Sequence, residues 1–215
     1  MSRTLNIKNK YLKKLFLKES LISSEQIRII RSNIEREMTD IARPCFMVTS
    51  PNADDQRSLI AGKLAASFAE KGRRVLIVDA NLRKPVLHQW FNLSNDYGLT
   101  TMLQQSVKEV SFVKRTVFPD LFLLTAGCER INLFHQEVMK GFELWMKQWK
   151  REYDAIILET PPFLKYYDGQ MLANQADGVI VVVKEHKTKI EDAVQTRNSL
   201  ERANKKILGV IYQTV

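Results

Sequence analysis

Six short apolar segments, separated by stretches of helical character, constrain the fold of this chain more than any other feature. They cover residues 45–50, 74–80, 121–127, 153–159, 178–184 and 206–212, and most are continuous runs rich in Val, Ile and Leu. Continuous apolar runs of this length are typical of parallel strands that are buried on both faces of a sheet. Their alternation with helical segments predicts an α/β domain, with a mainly parallel sheet and helices on both faces.

The segments between the predicted strands carry helix signals. A helix precedes the first strand, because its apolar positions recur every three or four residues. Ser23 and Gln26 form the capping-box pattern that begins such a helix. Longer helices are predicted at 57–71, at about 134–151 and at about 188–203, and shorter ones begin at Pro85 and after Gly98.

Length and composition indicate one cytoplasmic domain. The chain has 215 residues, which suits a single buried core, and we divide it into a basic leader at 1–20 and a domain at 21–215. No apolar run approaches the roughly 18 residues that a membrane-spanning helix needs. Cys45 and Cys128 lie far apart and form no CxxC pair, so neither a disulfide framework nor a zinc site is expected.

Positive charge is concentrated at the start of the chain. The formal net charge is +9, and residues 1–18 contain six basic residues and no acidic ones. We favour a solvated tail, and the alternative is contact with an anionic membrane face, at about 1 kcal/mol per basic residue. No nucleic-acid partner is expected, because no aromatic-and-basic stripe or DNA-reading motif is present.

Three of the predicted strands end in distinctive sequences, at the sheet edge where ligands bind in such folds. They are VTSPNADDQRS at 48–58, VLIVDANLRKP at 75–85 and IILETPP at 156–162. Their order and spacing resemble the bacterial tyrosine kinases of capsule and exopolysaccharide clusters (the CpsD/CapB type), relatives of the MinD/ParA ATPases. The resemblance runs from about residue 24 to the last residue, and it implies a P-loop NTPase-like fold with ATP and Mg²⁺ as cofactors.

The pattern Glu25-x-x-Arg28-x-x-Arg31 also resembles that family. The resemblance implies that these three residues build oligomers with copies of the chain or with other kinase-like subunits. The alternative is a solvated helix face with one ion pair, worth about 0.3–0.5 kcal/mol. The resemblance further implies a partner, the cytoplasmic tail of a membrane polysaccharide co-polymerase, which would recruit the chain to the inner face of the membrane.

The phosphate-binding loop departs from the family pattern, S-P-x-P-G-E-G-K-S. Asp54 and Gln56 replace the two glycines, Arg57 replaces the lysine, and Ser58 is kept. Glycines allow the loop backbone to adopt positive φ angles and to approach phosphates closely. Asp54 also adds a negative charge, which repels a unit charge about 4 Å away by roughly 1–4 kcal/mol. Binding of ATP and Mg²⁺ is therefore predicted to be weak or absent.

Other positions of the implied site are partly retained. Ser58, Asp79 and Glu159 are the candidate Mg²⁺ ligands, although Glu159 stands where the family usually has Asp. Asp79 and Asn81 occupy the catalytic positions, but Asn81 replaces an acid and cannot act as a carboxylate base. Further candidate remnants of the ATP site, besides the loop residues, are Arg83 and Gln213.

We therefore predict a catalytically impaired tyrosine kinase-like protein that acts as a regulator or scaffold in exopolysaccharide or capsule synthesis. One alternative is an active kinase with a divergent loop, in which Arg57, Ser58, Asp79 and Glu159 form a residual site. A MinD/ParA-like ATPase switch ranks last, because it needs a lysine early in the loop, near Asn52.

Overall fold

The computed structural model describes residues 23–52, 56–104, 112–133 and 135–214. The basic leader at 1–20 and the loop residue Asp54 therefore lie outside the described residues. Within the described ranges, no helix has both the length and the apolar character needed to cross a membrane.

Helices and strands alternate along the chain, as the sequence predicts. In order they are α1 (Ser24–Glu37), β1 (Cys45–Thr49), α2 (Arg57–Ala69), β2 (Val75–Asp79), α3 (Leu87–Phe91), α4 (Leu99–Gln104), β3 (Lys114–Arg115), β4 (Leu121–Leu124), α5 (Gln136–Glu152), β5 (Ala155–Glu159), α6 (Tyr167–Ala173), β6 (Gly178–Lys184), α7 (Ile190–Arg202) and β7 (Ile207–Gln213).

The strands form one sheet in the order β3-β4-β2-β5-β1-β6-β7. Every neighbouring pair is parallel except β3 and β4, which are antiparallel at one edge. All six predicted strands are present. The two-residue strand β3 and the seven-residue helix α6 are additions that the sequence patterns did not reveal.

Helices cover both faces of the sheet, as predicted. The helices α1, α2 and α3 pack on one face, and α4, α5, α6 and α7 pack on the other. Every residue of the central strands β1, β2 and β5 is buried, which explains why these segments read as continuous apolar runs.

The predicted capping box begins α1. The Ser23 N–H donates to Gln26 Oε1 at 2.9 Å, and the Gln26 N–H donates to Ser23 Oγ at 3.2 Å. Both bonds satisfy backbone donors that the first turn of a helix leaves unpaired. The apolar stripe then seats α1 against the sheet through the buried side chains Ile27 and Ile34.

Strand register brings three loops together at the carboxyl edge of the sheet. The strand β5 lies between β1 and β2, and Glu159 pairs with Val48 on one side and with Asp79 on the other. The loops that follow these three strands therefore begin side by side. This edge is the place where open parallel sheets bind ligands.

Gly98, just before α4, allows a close approach between that helix and the end of β4. The Leu99 N–H donates to the Thr125 carbonyl oxygen at 2.8 Å. A Cβ atom at Gly98 would lie 2.1 Å from the same oxygen and 2.6 Å from the Gly127 nitrogen. Both of these neighbours are backbone atoms, so they cannot turn away as a flexible side chain would.

We therefore expect Gly98→Ala to lower the free energy of unfolding by about 3 kcal/mol, because the added methyl group forces α4 away from β4. Urea unfolding followed by circular dichroism measures the change. Gly209→Ala is the matched control, since a Cβ there meets nothing within 4 Å, and its effect should stay within about 0.5 kcal/mol. Equal effects of the two substitutions would contradict this account of Gly98.

Candidate functional site

The candidate site lies where the loops after β1, β2 and β5 meet, and Glu159 stands at its centre. Ser58 Oγ donates to Glu159 Oε1 at 2.8 Å, and Arg57 Nε lies 3.2 Å from the same oxygen. Arg57 Nε also donates to the Thr160 carbonyl oxygen at 2.7 Å. The first two residues of α2 are thus fastened to the end of β5.

Asp79 lies beside Glu159 and is completely buried. Its Oδ2 accepts hydrogen bonds from the N–H groups of Val86, at 3.1 Å, and Leu87, at 3.0 Å. The remaining oxygens, Asp79 Oδ1 and Glu159 Oε2, are buried, and neither forms a hydrogen bond with any residue that the structure describes. Two carboxyl groups therefore face each other in a space that excludes water.

Burial controls the protonation of this pair. Burial raises the pKa of Asp79 to about 6, although the backbone hydrogen bonds from Leu87 and Val86 act in the opposite direction and lower it. Burial, followed by the charge of Asp79, raises the pKa of Glu159 well above its usual range, although Arg57 and Ser58 oppose this shift. Like charges in one buried site cannot both ionise readily. Burial therefore favours the protonated form of Glu159 beside Asp79.

The residues present fit a divalent cation. Mg²⁺ binds through one or two carboxylates together with water and phosphate oxygens, and the site offers two carboxylates and the hydroxyl of Ser58. The two oxygens without outside donors are those that a cation would use. Neither here nor elsewhere in the described ranges do His, Cys, Asp and Glu form a cluster of three or more that could hold a metal ion.

The described part of the phosphate loop combines a left-handed turn at Gln56 with an arginine that is bound to the sheet edge. Gln56 has a φ of +52°, the left-handed region that glycine adopts freely and that costs other residues roughly 1–2 kcal/mol. Arg57, in the lysine position, directs its Nε toward Glu159 and the Thr160 carbonyl. The backbone keeps the glycine-like turn, while the side chain that should reach phosphates is held by the sheet edge.

The Asn81 side chain forms hydrogen bonds within the loop that follows β2. Its Nδ2 donates to the Lys84 carbonyl at 3.1 Å, and its Oδ1 accepts from the Lys84 N–H at 3.2 Å. Both ends of the amide are thus used to close the turn between β2 and α3. The predicted catalytic position is occupied by a side chain with a structural task.

A cleft of about 260 Å³ opens above the paired carboxyl groups. Its walls come from the start of α2, from the loop after β2 and from the loop after β5. Most of the side chains that line the cleft are polar or basic. The lining residues are Gln56, Arg57, Ser58, Asn81, Arg83, Lys84, Val86, Pro162, Lys165 and Tyr166. Five predicted site residues thus line this cleft, whereas Asp79, Glu159 and Gln213 are not among its lining residues.

Sequence reasoning missed Asp168 and gave Tyr166 no role in the site. Asp168 is buried in the first turn of α6, and its carboxylate binds Arg83 through two bonds, of 2.8 and 3.2 Å. The Arg83 guanidinium also lies 5.6 Å from the centre of the Tyr166 ring. The sequence shows only that an acidic residue, Asp168, follows the segment IILETPP. That position alone does not indicate that its partner is Arg83.

Gln213 ends β7 and carries a buried amide without partners. The residue is 2% exposed, and neither its Nε2 nor its Oε1 has a hydrogen-bond partner among the residues that the structure describes. An unpaired buried amide costs free energy, and hydrogen bonds from a bound ligand would remove that cost. The place of Gln213 in the ATP site remains a prediction.

The loop after β1 is tied to α7 by a 2.6 Å hydrogen bond from Asn52 to Asp192.

The predicted oligomerisation residues on α1 have different environments. Glu25 and Arg28 are exposed, and Arg28 forms an ion pair of 3.4 Å with Glu70. Arg31 is buried and donates to the carbonyl oxygen of Ser67, at 2.5 Å, and to its hydroxyl, at 3.0 Å. Arg31 thus holds α1 to α2, and the oligomerisation role of the three residues remains a prediction.

Comparison with known proteins decides the family. Residues 57–210 match the family model described as an AAA domain. The chain is 37% identical over 194 residues to tyrosine-protein kinase YwqD of Bacillus subtilis (strain 168), covering 88% of this chain and 80% of that protein. This chain belongs to the bacterial tyrosine kinase family. It is also 29% identical over 196 residues to tyrosine-protein kinase ptk of Acinetobacter johnsonii, of which it spans 26%.

Solved structures of similar proteins confirm the predicted fold of this chain. The chimerical protein CapA2B2 superposes with a TM-score of 0.83 at 29% identity, covering 95% of this chain and 90% of that chain. The septum site-determining protein MinD of Pyrococcus horikoshii, complexed with Mg-ADP, gives a TM-score of 0.65 at 19% identity, covering 79% of this chain and 70% of that one. The predicted MinD-related, P-loop NTPase-like fold is therefore correct.

The paired carboxyl groups predict that stability falls as pH rises. Folding raises the pKa of Asp79 from its ordinary value of 3.8 to about 6. Asp79 therefore stays protonated up to a higher pH in the folded state than in the unfolded state. In EDTA, the free energy of unfolding should decrease by about 3 kcal/mol between pH 4 and 7. Urea titrations at several pH values measure it. Asp79→Asn should flatten this dependence, and parallel curves for the two proteins would contradict the pairing.

Proposed function

We propose that this protein is a tyrosine kinase-like regulator or scaffold of exopolysaccharide or capsule synthesis, in which phosphoryl transfer is impaired. The observation that carries the proposal is the position of Arg57. Arg57 replaces the lysine of the phosphate loop, and it is fastened to Glu159 and to the Thr160 carbonyl.

Phosphoryl transfer depends mainly on positioning and charge stabilisation, so the cradle around the phosphates matters most. A lysine ammonium reaches the outer phosphates as a compact charge, whereas a guanidinium is a planar fork that suits carboxylates. At Arg57 this preference is satisfied within the chain, by Glu159. The loop sequence adds Asp54 and Gln56 in place of the glycines that let backbone N–H groups surround phosphate.

The second argument concerns the base that accepts the tyrosine proton. Asn81 stands where the resemblance implies an acid, and its amide is engaged by the Lys84 backbone. An amide has no basic carboxylate to offer. Asp79 Oδ2 is engaged by the N–H groups of Val86 and Leu87.

The partners in this proposal are other kinase-like subunits and the cytoplasmic tail of a membrane polysaccharide co-polymerase. Glu25 and Arg28 are exposed on α1 and are available for contacts between subunits, whereas Arg31 supports them from within the chain. The protein would work in the cytoplasm, recruited to the membrane by the partner tail. ATP and Mg²⁺ would bind weakly or not at all.

An active kinase with a divergent loop is the second candidate. Ser58, Asp79 and Glu159 keep a carboxylate and hydroxyl set that suits Mg²⁺, and structural relatives such as MinD were crystallised with Mg-ADP. In this alternative Arg57 would leave Glu159 when nucleotide binds. A MinD/ParA-like switch is less favoured, since Asn52, near the required lysine, instead binds Asp192.

A thermal-shift titration with ATP and Mg²⁺ tests the proposal. A ligand at 100 times its dissociation constant stabilises a protein by about 2.7 kcal/mol, whereas one at its dissociation constant adds only about 0.4 kcal/mol. We expect the wild-type chain to gain less than about 0.5 kcal/mol at roughly 1 mM ATP. We also expect no phosphotyrosine on immunoblots after incubation.

The matched variant restores the family loop through Asp54→Gly, Gln56→Gly and Arg57→Lys. It should gain about 2–3 kcal/mol at the same ATP concentration if these residues are what block the site. Tight ATP binding by the wild-type chain, with phosphotyrosine that disappears in Asp79→Asn, would overturn the proposal in favour of an active kinase.

A further inference from the structure

An exposed apolar patch lies between α1 and β7. Ile29, Val210 and Tyr212 are 58%, 60% and 60% exposed. They line a groove of about 240 Å³ together with Gln26, Ile30 and Ile211. Single exposed apolar side chains need no explanation, whereas several at one place mark an interaction surface. We call these six residues the α1–β7 patch.

The patch includes an open edge of the sheet. The strand β7 is last in the strand order, and among the described strands it pairs only with β6. From Gly209 to Gln213 the pairing is regular, and this stretch contains neither a charged residue nor a proline. The opposite edge strand, β3, consists only of Lys114 and Arg115. Short, charged strands protect an edge from unwanted pairing, and β7 lacks that protection.

The basic leader at 1–20 is attached next to the patch. The described part of the chain begins at Ser23, the N-cap of α1, and Gln26 and Ile29 stand in the first two turns of that helix. Seven strand residues span about 23 Å, whereas 20 residues of extended chain reach at most about 70 Å. The leader is therefore long enough to reach every part of the patch.

The composition of the leader suits the patch. Positions 5–17 contain seven apolar side chains, four lysines and no acid. Carboxylates stand on both sides of the patch. Glu25 is exposed one turn before Ile29, on the same side of α1, and Glu185 bonds to the Tyr212 side chain. Apolar contacts can thus be combined with ion pairs at either end.

We propose that the leader docks on the α1–β7 patch of its own chain and shields it from other copies. A tethered segment acts at an effective concentration of the order of millimolar, so a second copy at micromolar concentration competes poorly for the same surface. Because Glu25 and Arg28 stand on the same helix, a docked leader also restricts contacts between subunits there. The inference goes beyond the proposed function and is independent of ATP turnover.

Trypsin cleavage of the full chain, followed by mass spectrometry, tests the docking. Lys13 and Lys14 are cleavage sites within the leader, and a synthetic peptide of residues 1–20 gives the rate for an undocked leader. Protease cuts a docked segment only when it opens. We expect cleavage after these lysines to be at least about ten-fold slower in the full chain than in the peptide.

Three full-length variants locate the docking surface, and urea unfolding checks that each is folded. Val210→Asp places a charge in the patch and should speed up cleavage at least about five-fold. Ile29→Asp should do the same from α1, and it decides the matter if Val210→Asp does not fold. Leu144→Asp is the matched control, because Leu144 is 55% exposed but lines a separate groove beside α5. It should change the rate by less than about two-fold.

Sedimentation velocity tests the shielding. Leu12→Asp together with Leu15→Asp removes apolar contacts of the leader, so the exposed patch should make self-association at least about ten-fold tighter than in the wild-type chain. Adding Val210→Asp to this variant should reverse that gain, because the patch itself is then charged. Unchanged self-association in the leader variant would overturn the shielding.

The cleavage rate of the wild-type chain should stay constant over an about 100-fold range of protein concentration, because the contact is within one chain. Protection that grows with concentration would assign the patch to a second copy and overturn the proposal. Cleavage as fast as in the peptide would also overturn it, and would confirm the solvated tail that the sequence favours. Equal effects of Val210→Asp and Leu144→Asp would show that the leader does not dock on this patch.

Discussion

The carboxyl pair formed by Asp79 and Glu159 is the constraint on which the rest of the site depends. Register between β2 and β5 places the two side chains next to each other under a water-excluding sheet edge. Two buried negative charges would cost far more than the fold can supply, so the site must provide a proton, a cation or both. The surroundings answer that requirement: burial raises the pKa of Glu159, Arg57 places a guanidinium 3.2 Å from that residue, and backbone N–H groups at the start of α3 bind Asp79.

This requirement gives a physical reason for arginine at position 57. Here Arg57 lies 3.2 Å from Glu159 and bonds to the Thr160 carbonyl, so the chain supplies part of the neutralisation itself. A guanidinium can serve the carboxylate and the carbonyl together, because its N–H groups point in several fixed directions. A lysine ammonium offers no such planar geometry.

Much of the fold could be predicted because its signals are local or periodic. The buried central strands appear as apolar runs, and the capping box of Ser23 and Gln26 marks the start of α1 to within one residue. The convergence of Asp79 and Glu159 followed from their positions at strand ends. The strand β3 was missed because a two-residue edge strand has no periodicity, and the bond between Arg83 and Asp168 joins residues 85 apart, for which one sequence carries no signal. The inward role of Arg31 was missed for the same reason, since its partner Ser67 lies on another helix.

The loop after β1 shows that fold and chemistry can separate. Gln56 occupies a left-handed conformation at φ +52°, although the resemblance implies a glycine there, so the path from β1 into α2 is imposed by the sheet and helix that it joins. The cost is roughly 1–2 kcal/mol, which the buried core of α2 can offset through side chains such as Ile60 and Leu64. The left-handed turn at position 56 is therefore kept although the residue there is not glycine. The path of this loop therefore depends on the elements that it joins, and it does not by itself report which chemistry the loop supports.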